Sequence, residues 1–309
     1  MLVASGLTRS FGGRVAVEDV TFSVERGEVF GLLGPNGAGK TTTLRLLGGL
    51  ILPDRGRVTI DGLPIERGTA DRLRKRIGFL TETPGLWEQL TVVDNMLIYA
   101  KLFGVIEGRA AVERLLRRFA LWERRSDRAA LLSKGMKQKL ALARALLHDP
   151  DILLLDEPTA NLDPETSRSV RELIGELRER GCAVVVSTHN LDEVERVASR
   201  LGLISTRLIA VGQPARLRRE LFGRRLRVQL AANGADHAVL AAIAAQHGAY
   251  DLSSEDGALI MRLDDPDRHA PDVIAALIAA GGRIREARDE EPTLEELYLK
   301  LLQRGAASV

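Results

Sequence analysis

Two short stretches of this chain hold the residue types that chemistry on a phosphate requires. Gly34-Pro35-Asn36-Gly37-Ala38-Gly39-Lys40-Thr41 fits G-x-x-x-x-G-K-[ST] at every fixed position. Glycines let a backbone turn tightly enough for several N–H groups to point at one anion. The helix expected from Lys40 onward adds about half a positive charge at its N-terminus. In such a loop Lys40 reaches the β- and γ-phosphates and the Thr41 hydroxyl ligates Mg²⁺. The segment from Gly34 to Thr42 therefore predicts MgATP as its ligand. The second stretch, Ile152-Leu153-Leu154-Leu155-Asp156-Glu157, is an apolar strand that ends in two carboxylates. An acid at the C-terminal end of a parallel strand faces the ligand crevice. Asp156 can there hold the water shell of Mg²⁺. Glu157 can take a proton from an attacking water, a role worth roughly 10²–10⁴-fold in rate. A solvated acidic turn has the same local sequence; the phosphate loop gives the pair a task.

A third element is Leu132-Ser133-Lys134-Gly135-Met136-Lys137-Gln138-Lys139, followed by Ala141-Leu142-Ala143-Arg144-Ala145-Leu146. Alone it reads as a Ser-capped helix start. Together with the phosphate loop, the Asp-Glu strand end and the later Ser187-Thr188-His189, it resembles the ATP-binding cassette family over about residues 2–212. The motifs occur in that family's order and spacing. The resemblance implies an ATPase that works as a head-to-tail pair of copies with two ATPs between them. Ser133 and Gly135 would then contact the γ-phosphate held by the other copy. Ala160-Asn161-Leu162-Asp163 resembles the loop that joins the two sites, which brings Asp163 to the nucleotide. His189 matches the histidine that meets the γ-phosphate. Phe11 stands where the family places an aromatic against adenine; a core residue is the other reading of that phenylalanine. Two positions depart from the usual pattern. Glu82 replaces a glutamine that links Mg²⁺ to the membrane partner, and a carboxylate can still accept from a metal-bound water. Lys134-Gly135-Met136 replaces Gly-Gly-Gln after the signature serine.

The elements needed to position these groups are legible in the hydrophobic pattern. Apolar bursts between residues 2 and 33, punctuated by glycines, read as strands and turns. Val58–Ile60, Ile77–Leu80, Ile152–Leu155, Ala183–Ser187 and Leu201–Ile204 read as strands. Lys40–Gly48, Thr91–Phe103, Arg109–Ala120, Lys134–Leu147, Pro164–Glu179 and Leu191–Ala198 read as helices. Apolar runs without alternation indicate strands buried on both faces, as in an α/β parallel sheet. The expected fold is a P-loop NTPase cassette at residues 1–212, with a mixed sheet core and a helical subdomain at about 83–147. A linker follows at 213–223. Residues 224–303 show the order βαββαβ, with the second helix read over Val273–Ala280, which predicts a smaller α+β ferredoxin-like domain. Its last helix would start at Pro292-Thr293, with Thr293 and Glu296 as a capping box. Glu291-Pro292-Thr293-Leu294-Glu295-Glu296-Leu297-Tyr298 resembles the closing motif of cassette subunits from bacterial exporters of drugs, lipids or ions; an ordinary capped amphipathic helix would look similar.

Bulk properties agree. With 309 residues the chain is long for one core, so two domains are expected. Lys plus Arg is 44 against 42 Asp plus Glu, so composition points to no polyanionic partner and no nucleic acid is expected. A single cysteine, Cys182, forms no internal disulfide, which fits a reducing cytoplasm. No apolar run approaches the ~20 residues that cross a bilayer, and Met1–Gly6 has no signal-peptide pattern. The expected place is thus the cytoplasmic face of the membrane, held by a separate transmembrane permease. A soluble cassette ATPase acting on ribosomes or DNA is the competing function. Ribosome-acting members carry two cassettes, and DNA-repair members insert a long coiled coil between loop and acidic strand. Neither feature is present here.

Overall fold

A computed structural model describes residues 1–160, 162–217, 225–231 and 236–290. The chain divides into two compact units, one ending at Gln213 and the other starting at Pro214.

In the first unit β1 (Leu2–Phe11) and β2 (Arg14–Val24) form a hairpin through Gly12 and Gly13. β3 (Val29–Leu33) leads through the glycine loop into α1 (Lys40–Leu47). β4 (Arg55–Ile60), β5 (Leu63–Pro64) and α2 (Ala70–Arg74) precede β6 (Ile77–Leu80). The helical segment holds α3 (Val92–Phe103), α4 (Gly108–Arg118) and α5 (Lys134–Ala145). Then come β7 (Ile152–Asp156), α6 (Pro164–Glu179), β8 (Ala183–Thr188), α7 (Leu191–Val197), β9 (Arg200–Ser205) and β10 (Arg207–Gly212).

Two sheets result: an antiparallel one ordered β2-β1-β4-β5 and a mixed one ordered β10-β9-β3-β8-β7-β6. Every residue of β3, β7 and β8 is buried, which is why these strands are apolar up to the C-terminal ends of β7 and β8, where Asp156 and Ser187-Thr188 stand. Alternate side chains serve two cores. Leu154 and Val185 pack with Leu44 and Leu47 of α1 and with Phe22 and Phe30, whose rings stack at 4.6 Å. Leu153, Leu155, Val184 and Val186 pack with Leu140, Leu173 and Ile174 on the other face. The buried positions of α6, Val170, Leu173, Ile174 and Leu177, follow the i, i+3, i+4, i+7 spacing of one helical face.

The register decides what happens at the sheet edge. Leu33 pairs with Thr188, Asp156 with Ser187, and Leu80 with Leu155. The parallel strands β3, β8, β7 and β6 therefore end side by side. The segments starting at Gly34, His189, Glu157 and Thr81 leave the sheet along one line.

The mixed sheet extends one strand beyond the hydrophobic pattern. β10 pairs antiparallel with β9 through a turn at Thr206, which has φ +65°. As a half-exposed edge strand it has no alternating signature.

The second unit contains β11 (Arg225–Leu230), a helix His237–Gln246, β12 (Tyr250–Glu255), β13 (Ala258–Arg262), a helix Pro266–Ala279 and β14 (Ile284–Glu290). Its sheet is ordered β12-β13-β11-β14 with antiparallel pairs throughout. Leu240, Ala244, Val273 and Leu277 pack on Leu226, Val228, Leu259 and Met261. This is the ferredoxin-like arrangement that βαββαβ implies. The second helix begins at Pro266 rather than at Val273. Asp265 accepts from the Arg268 amide and caps it, while Pro271 inside the helix interrupts the periodic pattern. The expected helix from Pro292 and its capping box lie outside the described residues.

Cys182 enters β8 as a buried residue, its Sγ 3.6 Å from the Pro150 carbonyl. Burial pushes its thiol up to about 11. The thiolate is the reactive form, so alkylation by iodoacetamide at pH 8 should be far slower in the native chain than in urea. Equal rates would contradict the burial.

Candidate nucleotide-binding site

The glycine loop owes its shape to two close approaches. Gly39 has φ +98°, and a Cβ there would come within 2.4 Å of the Ala16 carbonyl. A Cβ at Gly34 would meet the Ile204 carbonyl at 2.4 Å. Only glycine fits both places. The loop thus rests on β2 and β9 before α1 begins at Lys40.

Lys40 and Glu157 are both buried, and their charges meet: Nζ lies 3.2 Å from Oε1. Nζ also donates to the carbonyls of Gly34 at 2.7 Å and Pro35 at 3.2 Å. The second carboxylate oxygen of Glu157 accepts from Nδ1 of His189 at 3.0 Å. One carboxylate therefore ties the phosphate loop to the residue after β8. Glu157 achieves this from a left-handed backbone, φ +48°, a conformation that costs a non-glycine residue roughly 1–2 kcal/mol. Ser187 holds it there. The Glu157 amide donates to the Ser187 carbonyl at 3.1 Å and lies 3.2 Å from its hydroxyl. That hydroxyl in turn donates to Oδ1 of Asp156 at 2.6 Å.

Around this triad lies a cleft of about 560 Å³. Of the residues singled out in the sequence, Phe11, Pro35, Asn36, Gly37, Gly39, Lys40, Thr41, Thr42, Glu82, Glu157 and His189 border it. Phe11 is about half exposed, with the Arg9 guanidinium 4.9 Å from its ring centre, so it is no core residue. Gly34 and Ala38 lie beneath the loop: the first accepts from Lys40, and the second is buried. Asp156 sits behind Glu157, almost fully buried.

Ser133, Gly135 and Asp163 do not border this cleft. They form a second group. Ser133 caps α5 by accepting from the Met136 amide at 3.3 Å. Asp163 caps α6, accepting from the amide and the hydroxyl of Thr166, each at 2.8 Å. Those bonds hold its carboxyl below the usual range. Gly135 faces the same corner, since a Cβ on it would lie 3.3 Å from the Thr166 hydroxyl and 3.6 Å from Asp163. Asn161 lies outside the described residues.

Several contributors escaped the sequence argument. Arg14, Val15 and Ala16 also border the cleft, beside Ala160, the first residue of the loop already singled out. The first three follow Phe11 across the Gly12-Gly13 turn, and that turn was the available signal. Ser187 was visible only as a neighbour of His189. Its hold on both acids depends on strand register.

The donors that could serve a metal are a hydroxyl, Thr41, and two carboxylates, Asp156 and Glu82. Such hard oxygen donors suit Mg²⁺, which keeps several waters and leans on substrate phosphates rather than on a protein cage. Accordingly, no cluster of three or more His, Cys, Asp or Glu side chains is assembled to hold a metal among the described residues.

Comparison with known proteins agrees with this geometry. The ABC transporter family matches residues 17–160, and the C-terminal domain of DrrA1-3-like ATP-binding proteins matches residues 212–302. The linearmycin resistance ATP-binding protein LnrL of Bacillus subtilis is 32% identical over 98% of this chain and 99% of its own length. The Nod factor export ATP-binding protein I of Bradyrhizobium diazoefficiens is 43% identical over 71% of this chain and 72% of its own. Among solved structures, an ATP-binding subunit of an ABC transporter superposes with a TM-score of 0.67 at 35% identity, covering 72% of this chain and 94% of that one. A dimeric cassette in a post-hydrolysis state with ADP and Pi gives 0.64 at 27% identity, over 69% and 98%. With the phosphate loop, the Glu157 triad and the ferredoxin-like unit all in place, the chain belongs to the ATP-binding cassette family of transporter ATPases.

Proposed function

We propose that this chain is the ATP-hydrolysing subunit of an exporter, that its cleft is half of a composite site, and that a second copy completes it. The observation that carries this is the separation of two groups. Lys40, Glu157 and His189 converge in one cleft, while Ser133, Gly135 and Asp163 gather at another corner. In a head-to-tail pair the second group of one copy would face the first group of the other.

Within the cleft, Phe11 stacks on adenine and the loop amides of residues 36–41 receive the phosphates. Lys40 trades part of its contact with Glu157 for the β- and γ-phosphates. The Thr41 hydroxyl would ligate Mg²⁺, while Asp156 and Glu82 would accept from its water shell; the ion would neutralise charge on the transferring phosphoryl group. Glu157, released from Lys40, accepts the proton of the attacking water as the bond from the γ-phosphorus to the bridging oxygen breaks. His189 holds the Glu157 carboxylate through Nδ1–H and, when both ring nitrogens carry protons, donates from Nε2 to the γ-phosphate. The signature residues Ser133 and Gly135 of the second copy close over that phosphate. Closure then pushes on a separate transmembrane permease, and hydrolysis reopens the pair.

No helix among the described residues is long and apolar enough to cross a membrane. Attachment to the cytoplasmic face would come through the permease. The competing function, action on ribosomes or DNA, gains no support from relatives named for export and for drug resistance.

Glu157→Gln keeps the side chain's shape but removes the base, and it leaves one acceptor oxygen where the carboxylate offers two. It should lower kcat by roughly 10²–10⁴-fold with ATP binding retained; steady-state hydrolysis at the wild-type rate would remove Glu157 from this role. Phe11→Ala should weaken ATP binding by about three- to tenfold, as expected for loss of one stacking contact, with kcat little changed. A titration with a fluorescent ATP analogue checks this, and unchanged affinity would return Phe11 to a structural role.

A further inference from the structure

Arg144 is an expensive residue. It lies on α5 and is 7% exposed, and burial pushes its pKa down from the usual arginine value. Burying a guanidinium costs several kcal/mol unless its donors are met. Here they are met mainly by one turn of backbone. Nη1 donates to the Gly85 carbonyl at 2.8 Å and Nη2 to the Pro84 carbonyl at 2.6 Å. The guanidinium also lies over the Tyr99 ring of α3, 4.6 Å from its centre.

The clamped turn is short and already restrained. The Thr81 hydroxyl donates to the Thr83 carbonyl, Pro84 fixes its own φ, and Gly85 has φ +57°. The residue inside this turn that borders the nucleotide cleft is Glu82. Two consecutive carbonyls at fixed spacing suit the planar fork of arginine; a lysine ammonium is a single point of donation. At its other end α5 is capped by Ser133, about 16 Å away at 1.5 Å per residue.

We propose that Arg144 is the positioning residue for Glu82. It fastens the 81–85 turn to the helix that starts at Ser133, so that the presentation of Glu82 to the cleft follows the movement of that helix. A second copy that engages Ser133 would thereby adjust a metal-facing carboxylate in the same chain. This rests on the reading that Glu82 serves the nucleotide site.

The test is a double-mutant cycle on the full-length chain, with kcat, the ATP KM and the Mg²⁺ half-saturation as kinetic readouts. Arg144→Met should lower kcat roughly tenfold or more and raise the Mg²⁺ half-saturation, with the ATP KM within about twofold. Arg144→Lys, which can meet one carbonyl, should fall between. In a Glu82→Ala background, changing Arg144 should cost less than about twofold more, because residues acting in series are not additive. Hydrogen exchange of the peptide covering residues 81–87 in nucleotide-free protein should accelerate in Arg144→Met. If Arg144→Met does not fold, Arg144→Lys carries the same cycle. Losses that multiply across the cycle, or unchanged exchange at 81–87, overturn the proposal and leave Arg144 as packing between helices. If Glu82→Ala alone has the wild-type rate and Mg²⁺ dependence, the reading of Glu82 falls and the proposal falls with it.

Discussion

The carboxylate of Glu157 touches Lys40 and His189 at once, and the rest of the first unit exists to make that contact possible. A buried lysine and a buried glutamate are each costly alone. Together, with the Gly34 and Pro35 carbonyls accepting from Lys40 and with His189 donating to Glu157, they become tolerable. The arrangement requires three strands to end at the same level. The pairing of Leu33 with Thr188 and of Asp156 with Ser187 supplies that level. A slip of one residue in β7 would turn Asp156 and Glu157 to opposite faces and leave Lys40 without its counterion.

The same constraint explains why the strands are so uniformly apolar. β3, β7 and β8 lie between two cores, one shared with α1 and the antiparallel sheet, the other with α6 and the helical segment. Strands packed on both faces hold position well, and chemistry that depends on a few tenths of an ångström benefits from rigid supports. The site itself is built at the loop ends, where the backbone can adopt the left-handed turn of Glu157 and the glycine geometry of residues 34–39. The stable core and the strained rim are two consequences of one sheet.

Much of this was legible in advance because it is local. The phosphate loop, the Asp-Glu pair and the capped start of α5 are each contained in a few consecutive residues, and the phosphate loop gives the two less specific ones their meaning. Pro164–Glu179 was readable to its ends because Asp163 caps it and Pro164 occupies its first turn. What escaped was non-local or lacked a turn signal. β10 is a half-exposed edge strand joined to β9 at Thr206 by a tight turn with no glycine or proline. Ser187 fixes both acids only through a register that no short motif encodes. The grip of Arg144 on the turn bearing Glu82 joins residues far apart in the chain. In the second unit the strand order was evident, yet Pro271 hid the first turns of its helix.

The central claim is that one chain holds half of each site and that ATP joins two halves. Ser133→Asp addresses it directly. Aspartate also caps helices well, so α5 should keep its start, while its charge would oppose the γ-phosphate held by the other copy. Sedimentation velocity of the hydrolysis-deficient Glu157→Gln chain in MgATP is the measurement, with and without Ser133→Asp. The account predicts a nucleotide-dependent dimer that Ser133→Asp returns to monomer, each monomer still binding ATP. A dimer that persists despite Ser133→Asp, or a chain that stays monomeric in MgATP with Ser133 intact, would contradict it.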